Sequence, residues 1–154
     1  MRGVGRVQVP GASPAATRTF TPAVTQSGAP TYTSRAGYFT RIPGTRFIIG
    51  YAYIKIAATG GAVANNYVVP TLPVTPSTNY TAPGFAWPIG QVSLYDASAF
   101  SGYEGVVTLY AGQVTLESTG TAAETSFGIT GAPFAAALAA NDLISYSFMY
   151  EAAV

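Results

Sequence analysis

From residue 46 onward the chain is patterned as short strands. In the run from Phe47 to Ile56, one alternating set is Phe47, Ile49, Tyr51 and Tyr53; the other is Ile48, Ala52, Ile54 and Ile56. Both sets are apolar, which predicts a central strand covered on both sides. Gly60-Gly61 ends it, and Tyr67–Val69 reads as a short strand stopped by Pro70. Residues 91–95, 106–110 and 113–117 share the order valine, hydroxyl residue, leucine, the mark of a half-buried strand. Their spacing is too irregular for a repeat. Ala111-Gly112 is a tight turn or a bulge, and Thr125–Ile129 is a further candidate strand. Leu143–Tyr150 carries the clearest alternation, with Ile144, Tyr146, Phe148 and Tyr150 on one side and Leu143, Ser145, Ser147 and Met149 on the other. Pro133–Ala140 is the one segment that reads as helix, since proline suits a first turn and alanine has the best propensity. The expected fold is all-β, a sandwich or jelly-roll-like barrel with one short helix.

Residues 1–44 break this pattern. They hold five prolines and five of the six arginines, and neither periodicity persists there. Sparse apolar positions remain, among them Val4, Val7, Val9, Phe20, Val24, Tyr32, Tyr38, Phe39 and Ile42. A solvated linker has no use for these, whereas an arm laid over another surface does. The expectation is therefore an extended N-terminal arm over 1–44, binding outside its own body, and a β domain over 45–154. A second proline-rich stretch, residues 70–90, places Tyr80, Phe85 and Trp87 in a loop, either folded back on the domain or inserted into a partner.

Charge sharpens the picture. Every basic residue, from Arg2 to Lys55, precedes every acidic one, from Asp96 to Glu151. An N-terminal segment so built matches the acidic body of another copy or another acidic protein; with seven and six charges in all, chance is the alternative. Charged residues are 8% of the chain and hydrophobic ones 49%. So few charges with so many tyrosines suit a surface covered by other protein. Arg2, Arg6, Arg18, Phe20, Tyr32, Arg35, Tyr38, Phe39, Arg41, Tyr80, Phe85 and Trp87 are the candidate partner-binding residues.

Chemistry is scarce. With no cysteine and no histidine, thiolate chemistry and the usual catalytic triads are excluded. No glycine-rich phosphate loop or metal-ligand spacing is present, and no cofactor is expected. Paired carboxylates can meet only through folding, and Lys55, the sole lysine, reads as a strand-rim residue. The chain is expected not to be an enzyme. The arginines lie too far apart for a nucleic-acid arm, so direct nucleic-acid binding is not expected. The first residues lack the apolar run of a secretory signal, and no apolar stretch approaches a membrane span.

A proline- and threonine-rich arm over 1–44, a charge-poor, tyrosine-rich β body and the terminal stretch Ala140–Phe148 together resemble the head-decoration (cement) proteins of tailed phages. The resemblance lies in architecture and composition, without a diagnostic motif. It implies a structural protein of the virion on the capsid surface, bound to the major capsid protein, a homo-oligomer and commonly a homotrimer. The alternatives are a tail or neck subunit, or a carbohydrate- or surface-binding β module with Tyr80, Phe85 and Trp87 as its stacking platform.

Overall fold

A computed structural model describes residues 16–81, 86–110, 112–118, 134 and 136–154. Nine strands form among the described residues, in chain order: β1 (Arg18–Phe20), β2 (Val24–Thr25), β3 (Thr31–Arg41), β4 (Phe47–Ala58), β5 (Val69–Pro70), β6 (Ala86–Asp96), β7 (Ser101–Tyr110), β8 (Gln113–Ser118) and β9 (Leu143–Glu151). Seven make one open antiparallel sheet in the order β1-β3-β4-β9-β6-β7-β8, and β2 pairs with β5 in a small second sheet. The fold is an all-β sandwich whose second layer is this small sheet with the loops around it.

The inner face of the large sheet follows from alternation. Ile48, Ala52 and Ile54 of β4 pair with Tyr150, Tyr146 and Ile144 of β9, and Ile56 and Phe148 join them in the core. Val92 and Leu94 of β6, Val107 and Leu109 of β7, and Val114 and Leu116 of β8 continue the same layer. All are buried. Two tyrosine hydroxyls fasten the proline-rich loop over this layer: Tyr146 Oη donates to Thr71 O at 2.9 Å and Tyr150 Oη to Val74 O at 2.6 Å. Burial pushes both phenols up, Tyr150 to about 12.

Two expectations need correction. Residues 18–41 do not lie outside their own body: β1 pairs with β3, and β3 with β4 through a hairpin that turns at residues 42–46. Phe20 is the physical reason. Its ring packs edge-on to Phe148 (6.0 Å between centroids) and Phe39 (6.2 Å), in space left by Gly37, where any Cβ would collide with it. The segment is extended, as expected, but it is strand; residues 1–15 lie outside the described residues. The helix expected over Pro133–Ala140 is absent from its described positions, 134 and 136–140. There the backbone bonds a side chain instead of itself. The buried Gln26 donates from Nε2 to Ala136 O (2.9 Å) and accepts from Leu138 N (2.8 Å) at Oε1, while Phe134 and Leu138 sink into the core. Asn141, at φ 73°, then turns the chain into β9. The candidate strand Thr125–Ile129 lies outside the described residues.

Candidate interaction face

The reading of β4 as covered on both sides holds for one side only. Its inner residues Ile48, Ala52, Ile54 and Ile56 are 0–1% exposed, whereas Phe47, Ile49, Tyr51 and Tyr53 are 41–55% exposed. The outward rows are set by strand register. Tyr38 of β3 stands beside Tyr51, which stands beside Ser147 of β9. Ala36, Tyr53, Ser145, Ser93 and Glu104 line up across β3, β4, β9, β6 and β7. Lys55, Leu143 and Tyr95 form the next row, and Ile49 pairs with Met149 on the far side. The rings of Tyr38 and Tyr51 stack at 5.2 Å.

Two surfaces result. Toward the β3–β4 turn, an apolar depression of about 370 Å³ is lined by Thr17, Tyr38, Thr40, Ile49 and Tyr51 among others, with Phe47 and Met149 exposed nearby. Toward the middle, an open groove of about 340 Å³ runs between the tyrosines of β4 and Glu104 of β7, over a floor of serines. Across the outward positions of β3, β4, β9 and β6, charge is confined to Lys55 at one end and Glu151 at the other. Glu151 forms an ion pair with Arg46.

Three other acids, Asp96, Asp142 and Glu117, are committed within the protein. Asp96 Oδ1 accepts from Ser98 N (2.9 Å), Ser98 Oγ (2.7 Å) and Ala99 N (3.0 Å), and the Ser98 hydroxyl holds its carboxyl below the usual range. Asp142 accepts from Ala97 N (2.9 Å) and Ala139 N (2.7 Å); its carboxyl is raised, chiefly by burial. Folding thus brings two carboxylates near each other, with Asp96 Oδ1 and both Asp142 oxygens engaged by turn groups. Glu117 is buried and accepts from Thr108 Oγ1 (3.2 Å) and Thr115 Oγ1 (2.7 Å). No group of three or more metal-ligating side chains occurs among the described residues, and no described helix is long and apolar enough to cross a membrane.

The residues singled out from sequence do not form one site. Phe20 and Phe39 pack against the core. Tyr32 bonds the backbone of Val24 through its hydroxyl, at 2.9 and 3.0 Å, with the Arg35 guanidinium 4.4 Å above its ring. Arg35 also donates to Pro22 O. Arg18 and Arg41 are exposed at the β1–β3 margin. Tyr80 is folded back: its hydroxyl accepts from Glu151 N (2.9 Å) and its ring meets Trp87 edge-on at 5.9 Å. Trp87 lies in β6, not in a loop. Arg2, Arg6 and Phe85 lie outside the described residues. Of the twelve, Tyr38 belongs to the open face. Ile49, Tyr51 and Tyr53 of β4 and Leu143 and Met149 of β9 were not singled out; for the first three the doubly apolar alternation of β4 was the signal, read as burial.

Comparison of the chain with protein-family models, with curated proteins and with solved structures finds no match.

Proposed function

We propose that this protein is a non-catalytic structural subunit that assembles through the apolar end of its open sheet face, and that its setting is the outer surface of a tailed-phage capsid. The observation that carries the first part is β4. Its sequence is that of a strand buried on both sides, yet one side is open in the single chain. Covering Phe47, Ile49, Tyr38 and Met149 with another subunit completes the burial. The capsid setting rests on the resemblance in architecture and composition, and it implies the major capsid protein and further copies of this chain as partners.

Area argues for many weak contacts. Three inter-strand spacings by four two-residue steps along a strand give the whole outward face about 14 by 27 Å, on the order of 400 Å², of which the apolar end is a part. A stable pairwise interface buries about 800 Å² on each partner. One such face therefore supports weak association alone, and repetition on a symmetric shell multiplies it.

The test has two parts. Native mass measurement over a concentration series should show self-association that Ile49→Glu and Met149→Glu each abolish, with circular dichroism unchanged. Particles lacking the protein should assemble but release DNA at a lower temperature than complete ones. A monomer at every concentration that also fails to bind particles refutes assembly through this face; identical release curves refute the cement role.

A further inference from the structure

The groove at the middle of the open face differs chemically from the apolar end beside it. One wall is Tyr51 and Tyr53, two exposed rings on the same side of β4. The floor is Ser145 and Ser147 of β9 with Ser93 of β6, and the Gln91 backbone N–H donates to Ser147 Oγ at 3.3 Å. Ser93 and Ser145 face each other directly across the β6–β9 ladder. Among the described residues, neither hydroxyl has a protein hydrogen-bond partner, and neither does the Gln91 side-chain amide. Side-chain donors and acceptors thus line a groove walled by aromatic rings.

From this arrangement we propose a binding site for a neutral carbohydrate chain. A sugar ring presents C–H groups on its face and hydroxyls around its edge. The C–H face stacks on a tyrosine ring while the edge exchanges hydrogen bonds with serine hydroxyls and the glutamine amide. Three competing occupants fit less well. A dry protein face would bury the serine hydroxyls and the amide without partners, at a cost for each. A peptide strand joins a sheet at a free edge, and the groove lies inside the sheet, where β9 is paired with β4 over Leu143–Glu151 and with β6 over Leu143–Tyr146. A phosphate-, sulfate- or uronate-bearing chain needs cations, and the groove has none among its lining residues, which include the carboxylate of Glu104. At about 340 Å³ the groove has the size of a small-ligand site.

The groove adjoins the apolar end and shares Tyr51 and Ser147 with it, but Tyr53, Ser93 and Ser145 line the groove alone and Ile49 lines the apolar end alone, so variants at these positions let the two readings fail independently. The experiment uses the intact protein and a panel of neutral tetra- to hexasaccharides built from glucose, mannose, galactose or N-acetylglucosamine. Binding is followed by calorimetry and by tyrosine fluorescence. At least one member should bind. Tyr53→Ala should then weaken binding about tenfold, and Ser145→Val, which fills the floor, by a similar factor. Met149→Glu should break self-association and leave saccharide binding within about twofold. Circular dichroism and melting confirm that each variant is folded. The proposal is overturned if no panel member binds at about 10 mM. It is equally overturned if binding survives both groove variants, or if sulfated or uronic chains bind more tightly than every neutral one.

Discussion

The two faces of β4 are built from the same kinds of residue and have opposite fates. Ile54 and Ile56 point into a layer closed by β9, the proline-rich loop and the segment around Phe134 and Leu138. Tyr51 and Tyr53, their neighbours in sequence, stand on the same strand with nothing of the described chain above them except the flanking Tyr38 ring. Apolar alternation states which residues share a side; it does not state what covers that side. A core face and an interface face obey the same rule, and only the supply of covering segments separates them. Among the described residues, the loops between strands pass over one face and leave the other open.

The sharpest way to break this contrast is to truncate both faces equally. Ile54→Ala should cost about 2–5 kcal/mol of unfolding free energy in urea titrations of dilute protein, because it leaves a cavity in a closed layer. Ile49→Ala, the same change on the other face, should cost about 0.5 kcal/mol or less under the same conditions. Equal losses would mean that the outer face is closed within the single chain. At high concentration the gap should narrow, since association then stabilises the outer face by mass action.

Gln26 gives the second test, because it holds part of the covering layer in place. Its side chain makes bonds to Asn66, Ala136 and Leu138, the last two more than a hundred residues away in sequence. Gln26→Ala should cost about 2–3 kcal/mol, since it strands a buried N–H and carbonyls of that segment. Hydrogen exchange should show the segment around Leu138 opening first. A uniform loss of protection across the sheet would show that the segment is not a separate cover.

Acid titration sharpens the picture at the turn joining β6 and β7. The folded Asp142 carboxyl is raised above 3.8, so the native state binds a proton more readily than the unfolded chain. Its contribution is most favourable at low pH and declines as pH rises from about 3.8 through the raised value. Asp96 is lowered and does the opposite: its contribution is present above 3.8 and is lost as pH falls through its folded value. Asp142→Asn should remove the first component. The stability difference, wild type minus variant, should therefore shrink as pH is raised from 4 toward 6. A difference that grows over this range would reverse the assignment.

The smallest effect is expected at the rim, where Arg46 is half exposed beside Glu151. Arg46→Ala should cost under about 1 kcal/mol, and less still in high salt. Particle binding should likewise weaken only modestly with salt if apolar contact carries it.

The all-β class, the strands from Phe47 to Ile56 and from Leu143 to Tyr150, and the side assignments within them were legible from alternation, because side chains on a strand alternate by geometry. The same arithmetic marked Phe47, Ile49, Tyr51 and Tyr53 as one apolar set. Three things were settled elsewhere. Phe20 tied residues 18–41 to the body as strands rather than as an arm, through a pocket formed by Gly37, Phe39 and Phe148, the last of which lies far along the chain. Gln26 overrode the helix propensity of an alanine run by offering its backbone better-placed partners. The openness of one sheet face arose from where the loops between Ala58 and Ala86 run, and loop paths are fixed by long-range contacts such as Tyr150 to Val74. Local pattern sets strand and side because those depend on neighbours in sequence. Which side is left open depends on residues tens of positions away, and that was decided only when the chain closed on itself.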